Sequence, residues 1–256
     1  MHANTYHRKL YQYIVDEIGQ RIIRGRYRPK EVLPTEDQLS GELHVSRGVL
    51  REAIKVLTQK GLIQTRPRVG SQVLPRENWN LFDPDVLVWR LQIEDKTTFL
   101  KNVTEVRRLI ESEAARQAAR RATKSEIEDI KATLSQMETI LSDGNRYVYQ
   151  DYLALDILFH LKILNASHND LLSQIGSTVR NAVHKARESD TADMGIQKES
   201  LPFHGAIVDG IYRKDPEAAY RASQEMFDNV WHHLIYNRIG RTFSGPPLAL
   251  EDLVQN

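Results

Sequence analysis

Residues 33–73 read "LPTEDQLSGELHVSRGVLREAIKVLTQKGLIQTRPRVGSQV", and this stretch decides the fold of the N-terminal third. Pro34 precedes Thr35, and Gln38 follows three residues later, a capping-box pattern that starts a short helix ending near Leu43. A turn of four residues, "HVSR", leads to a second start at Ser46. From there Val49, Leu50, Ala53, Ile54 and Leu57 share one helical face, and Gly61 is placed to end the helix. The flanks of "RPRVG" (66–70) are rich in Ile, Thr and Val, so they predict a small hairpin.

Upstream, Leu10, Ile14, Ile18 and Ile22 recur every fourth residue, which predicts an amphipathic helix over roughly residues 6–24, stopping at Gly25. The order helix, short helix, tight turn, helix, hairpin is that of a winged helix-turn-helix. In such a module the third helix enters the DNA major groove and the hairpin forms the wing. Arg47 and Arg51 lie one turn apart at the start of that helix and point the same way. A guanidinium there can clamp a phosphate or fork onto guanine O6 and N7, or it can be part of an ordinary exposed basic face. Ser46 can cap the helix and also reach a phosphate.

The 256 residues carry 35 Lys/Arg and 34 Asp/Glu, a net charge of +1 that hides an asymmetry. Residues 1–76 hold 14 basic and seven acidic residues, net +7, and residues 77–256 are net −6. Clustered cations at one end suit phosphate contact. With no cysteine, disulfides, thiolate metal sites and thiol nucleophiles are all excluded. No stretch of 18 apolar residues and no basic-then-apolar leader occurs, so a cytoplasmic protein without a membrane span is expected.

From Pro75 onward the chain carries two prolines, Pro75 and Pro84, turn formers and the exposed-aromatic candidates Trp79 and Trp89; residues 77–96 read as a linker packed against its neighbours. From 97 to 240 every segment reads helical, over 97–121, 123–142, 145–167, 169–188, 200–214 and 215–239. Thr123 with Glu126 is another capping box, Asp143-Gly144 a break, and Asp215-Pro216 a helix entry. Residues 241–256 read as a tail. The expected fold class is mainly α: an N-terminal winged helix-turn-helix (1–76) with a hairpin wing, plus a C-terminal all-α bundle. Within that bundle, "DILFH" (156–160) sets Asp156 and His160 one turn apart, which suits a metal, a buried hydrogen-bonded pair or a solvated stripe.

The stretch over 33–73 resembles the DNA-binding domain of the GntR superfamily of bacterial transcription regulators. "TEVRRLIESEAARQAARRAT", "DILFHLKILNASHNDLL" and "FHGAIVDGIYRKDPEAAYRA" are similar to the FadR-type ligand-binding domain (FCD), with a looser likeness to regulators of sugar-acid catabolism. The resemblance implies DNA contacts by Ser46, Arg47, Gly48 and Arg51, and by Arg68 and Gly70 of the wing. Asp37 departs from it, because many members carry an arginine there; Gly48 departs too, where a hydroxyl residue is common. It further implies a divalent metal, zinc or similar, held by Asp156, His160 and His204. The fourth family ligand falls on Met226, a poor donor beside carboxylate and imidazole, so His184, His232 or His233 are the candidate substitutes. Arg107 stands where members present an arginine to an effector carboxylate, whereas the residues alone also allow a surface pair between Arg107 and Glu111.

The expected function is therefore a ligand-responsive regulator, a repressor of a sugar-acid or other small-carboxylate catabolic operon. It would bind double-stranded operator DNA as a homodimer and leave it when effector enters the helical domain. The alternative is a metal-dependent enzyme working through Asp156, His160 and His204, although no clear general base stands beside that cluster in the sequence.

Overall fold

The computed structural model describes residues 2–143, 148–187 and 194–239. The chain divides into two compact units, residues 1–99 with 174–190 and residues 100–173 with 191–256. The 241–256 tail and Gly144 lie outside the described residues.

In the first unit α1 (His2–Ile23), α2 (Glu36–Glu42) and α3 (Arg47–Gln59) precede the antiparallel strands β1 (Ile63–Arg66) and β2 (Gly70–Val73). The winged helix-turn-helix is therefore present. Thr35 and Gln38 make the reciprocal capping box of α2, and Ser46 Oγ accepts from Val49 N–H to cap α3. The five residues expected on the inner face of α3 are all buried, with Ile14, Ile18 and Ile22 of α1 in the same cluster. At the wing tip Val69 N–H donates to the Arg66 carbonyl, and Pro67 and Arg68 (φ +63°) occupy the central positions of the turn. Gly70 follows at φ +100°, a conformation that favours glycine.

The segment expected to be a packed linker contains a helix, α4 (Pro84–Leu91). Asp83 caps it through the Asp85 and Val86 N–H groups, and Pro84 occupies the first turn, where a missing N–H costs nothing. Trp89, read from sequence as an exposed aromatic, is only 2% exposed. Its ring lies against Gly19 of α1, where a Cβ would stand 2.4 Å from the indole. Trp79 is half-buried, and its indole N–H donates to the Leu74 carbonyl. Lys60, at the end of α3, reaches Asp83 at 2.8 Å and Asp85 at 2.7 Å. Burial by itself would lower the ammonium pKa, but the two carboxylates outweigh it and raise the value. The pattern escaped a sequence reading because only eight residues are helical and their apolar face has meaning only against α1.

The second unit holds most of α5 (Lys96–Arg121), α6 (Lys124–Ser142), α7 (Tyr149–Ala166), the start of α8 (Asp170–Arg187), α9 (Met194–Tyr212) and α10 (Pro216–Ile239). α6, read as helical from 123, begins one residue after its Thr123 cap, which forms the capping box with Glu126. α9 begins six residues before the expected start at 200 and contains Pro202. The proline removes one N–H donor without ending the helix. Asp215 caps α10 through Ala218 N–H. The core gathers Ala115, Ala118 and Ala119 of α5, Ile130 and Met137 of α6, Phe159 of α7, Ile207 and Ile211 of α9, and Met226 and Phe227 of α10. At Gly210 a Cβ would stand 2.5 Å from the Ala219 backbone nitrogen, so α9 and α10 approach at a position that admits only glycine. Ser112 and Ser223 bond at 3.1 Å between α5 and α10, and Arg108 pairs with Asp228 on the outside. Among the described residues no helix is long and apolar enough to cross a membrane.

Candidate functional site

Two helices of the second unit bring one polar cluster together inside an apolar bundle. Asp156 and His160 stand one turn apart on α7, and His204 comes from α9. One ligand atom from each lies within 4.8 Å of the other two. Both imidazoles are buried, and the Phe159 ring meets each edge-on at 5.1 Å. His204 Nε2 is 3.1 Å from Asp156 Oδ1, and His160 Nε2 is 3.8 Å from the same oxygen.

The outer nitrogens of the two rings are engaged elsewhere. His160 Nδ1 is 2.9 Å from Glu111 Oε2, and His204 Nδ1 is 2.9 Å from the Ser200 carbonyl. Both partners are acceptors, so they assign the proton to Nδ1 and turn an Nε2 lone pair toward Asp156. Two lone-pair atoms 3.1 Å apart repel unless a proton or a cation lies between them. Ligands about 2.1 Å from a common ion stand roughly 3–3.6 Å from one another. The His204–Asp156 distance falls in that range and the His160–Asp156 distance of 3.8 Å lies just beyond it, so the donor set and its oriented rings suit a divalent ion of borderline hardness.

Glu111 was not singled out from the sequence except as a surface partner of Arg107. The pair with Arg107 does form, Nε to Oε1 at 2.8 Å, but it is buried: Arg107 is 6% exposed and Glu111 3%. Arg107 also lies over the Phe227 ring at 4.9 Å. One carboxylate therefore joins an arginine at one oxygen and a cluster histidine at the other. Arg108, its neighbour in sequence, turns outward to Asp228. The only sequence signal for Glu111 was its place four residues after Arg107 on α5.

Met226, at the expected fourth ligand position, is buried among Ala222, Phe227 and other apolar residues. His232 is exposed, His184 lies on the part of α8 belonging to the first unit, and the His233 side chain is outside the described residues. Among the described residues the cluster has three members.

In the first unit, Arg47 and Arg51 are both exposed at the start of α3, and each meets an acid of α2. Arg47 Nε is 2.7 Å from Asp37 Oδ1, and Arg51 Nε is 2.7 Å from Glu36 Oε2. Gly48 lies between them in open space, its added Cβ meeting only Ser46 Oγ at 3.9 Å. Arg68 is exposed at the wing tip.

Comparison with known proteins bears on both units. Residues 10–73 match the model of the bacterial regulatory proteins of the gntR family, and residues 102–229 match that of the FCD domain. The galactonate operon transcriptional repressor of Escherichia coli K12 is 34% identical over 217 residues, 83% of this chain and 91% of its own. The chain belongs to the GntR family.

As a GntR regulator with an FCD domain, it is a ligand-responsive DNA-binding transcription regulator, and its relatives are regulators, not enzymes. The Uxu operon transcriptional regulator of Escherichia coli K12 is 30% identical over 241 residues, covering 92% of this chain and 90% of that one. Among solved structures, Streptococcus agalactiae GntR aligns with a TM-score of 0.50 at 22% identity, covering 87% of this chain and 99% of its own. A Listeria monocytogenes protein, described as controlling expression of the agr system, aligns at a TM-score of 0.55 and 19% identity, over 89% and 95% of the two chains. These two likenesses support the fold.

Proposed function

We propose that this GntR regulator is a homodimeric repressor of a sugar-acid or other small-carboxylate catabolic operon, released from its operator by that carboxylate. The observation that carries the effector half is the buried assembly of Arg107, Glu111, His160, Asp156 and His204 in the FCD domain. A bundle core holding an arginine, two oriented imidazoles and two carboxylates suits a cation and, beside the arginine, an anionic ligand. The relatives named as regulators of the galactonate and Uxu operons favour a sugar acid. Asp156, His160 and His204 would hold a divalent ion, which when bound offers a Lewis-acidic contact to a carboxylate or hydroxyl oxygen. Arg107 would present its guanidinium to the effector carboxylate.

The DNA half rests on α3 and the wing. Ser46, Arg47, Gly48 and Arg51 would face the major groove, and Arg68 and Gly70 would follow the backbone. Twofold symmetry of the dimer then requires a palindromic operator. Arg47→Ala and Arg51→Ala are each expected to weaken operator binding by about 1–3 kcal/mol, with effector binding unchanged by calorimetry. Undiminished operator affinity in both variants by fluorescence anisotropy would remove α3 from the groove.

A further inference from the structure

We propose that Asp37 is a specificity-determining residue of the DNA-reading face, lowering affinity for arbitrary DNA and presetting Arg47 for one base. The inference rests on the reading that α3 enters the major groove. Two consecutive acids, Glu36 and Asp37, stand in the first turn of α2, where the Thr35–Gln38 capping box fixes their backbone. Each takes one arginine of α3: Asp37 meets Arg47 and Glu36 meets Arg51, both at Nε and both at 2.7 Å.

These pairs contribute little to folding. The side chains of Arg47 and Asp37 are both 64% exposed, and ion pairs so open to water are nearly neutral in stability. Their placement is informative instead. The acid stands at the end of α3 that meets DNA, in a unit whose basic excess otherwise favours any phosphate. A carboxylate there opposes every duplex alike. A guanidinium has five N–H donors in a fixed fork; the Asp37 oxygen lies against the Nε edge of Arg47, and the two terminal nitrogens are the ones that reach guanine O6 and N7. Asp37 thus restrains rotation of the Arg47 fork before DNA arrives, which reduces the ordering needed at a matching base and gives nothing at a mismatch. Discrimination by an element that penalises the wrong partner follows from the same geometry.

The test uses the full chain, with fluorescence anisotropy over a potassium chloride series. One probe is a duplex selected from a random pool by the wild-type protein, and the other is poly(dI–dC). Asp37→Asn keeps the shape and removes the charge. The ratio of affinities for the two probes is expected to fall about threefold, while the salt slope on poly(dI–dC) steepens by about 0.9. If the ratio is unchanged, whether both affinities rise together or neither moves, the inference is overturned. Arg47→Ala separates it from the underlying reading. If Arg47→Ala loses discrimination while Asp37→Asn keeps it, only the role of Asp37 fails; if Arg47→Ala discriminates normally, the assignment of α3 fails as well.

Discussion

Glu111→Gln tests how the effector site is held together, because the substitution changes charge and leaves shape. Glu111 serves Arg107 at 2.8 Å and His160 at 2.9 Å from a side chain 3% exposed. A glutamine has one oxygen and one NH2 group. Its oxygen can accept from Arg107 or from His160, and its NH2 then points a donor at the other donor. One charge-assisted hydrogen bond is lost, worth about 1.5–3 kcal/mol, and a buried donor is left facing a donor. We expect the unfolding free energy to drop by about 2–4 kcal/mol. His160 also loses the acceptor that fixes its tautomer, so affinity for a divalent ion should fall by about 10–100-fold. Urea unfolding followed by circular dichroism measures the first quantity, and calorimetric titration of the metal-free protein with zinc measures the second. Zinc affinity equal to that of wild type would refute the orienting role of Glu111. A loss of stability alone would then mark the residue as purely structural.

Arg107→Ala should still bind operator and fail to be released by the sugar acids that release the wild type; release at unchanged effector concentration in a gel-shift assay would place the carboxylate elsewhere. Gly19→Ala puts a Cβ 2.4 Å from the Trp89 ring, and such overpacking costs about 1–3 kcal/mol. Thermal unfolding of the variant reads this directly, and an unchanged midpoint would mean that α4 does not hold to α1 as described. The Glu126 carboxyl is pulled below its ordinary pKa, chiefly by the Thr123 N–H that it accepts, against some opposition from burial. Its contribution to stability is therefore present above its unfolded value near 4.5 and is lost as pH falls through the lower folded value. Glu126→Gln should lack that acid-side decline; equal slopes of stability against pH from 5 to about 3 would contradict this.

Local chemistry made much of the molecule legible. The capping boxes at Thr35 and Thr123 and the cap at Ser46 are satisfied within three residues of chain, and the wing turn needs only Pro67, Arg68 and Gly70 in order. The inner face of α3 follows from 3.6 residues per turn, so Val49, Leu50, Ala53, Ile54 and Leu57 were identifiable before any partner was known. Asp156 and His160 share a face for the same reason. These features depend on distances that the backbone itself sets.

What crosses between helices was not legible. That Arg107–Glu111 is a buried strut and not a surface pair depends on α7 bringing His160 to the other oxygen of Glu111, 49 residues away in the chain. Trp89 is core only because Gly19 leaves room for its ring, and α4 is a helix because that contact and Lys60 give its apolar and acidic sides a partner. Asp37 reads as an unfavourable charge on a DNA-binding face until α2 sets it against Arg47. The sequence by itself determined which segments are helices, α4 excepted, where most of them start and which side chains share a face, since hydrogen bonds and sterics over a few residues decide those. The tertiary structure alone decided which faces meet, and with them the burial and partner of each charge, because burial is a property of the packed whole and the energy of a charge depends on it.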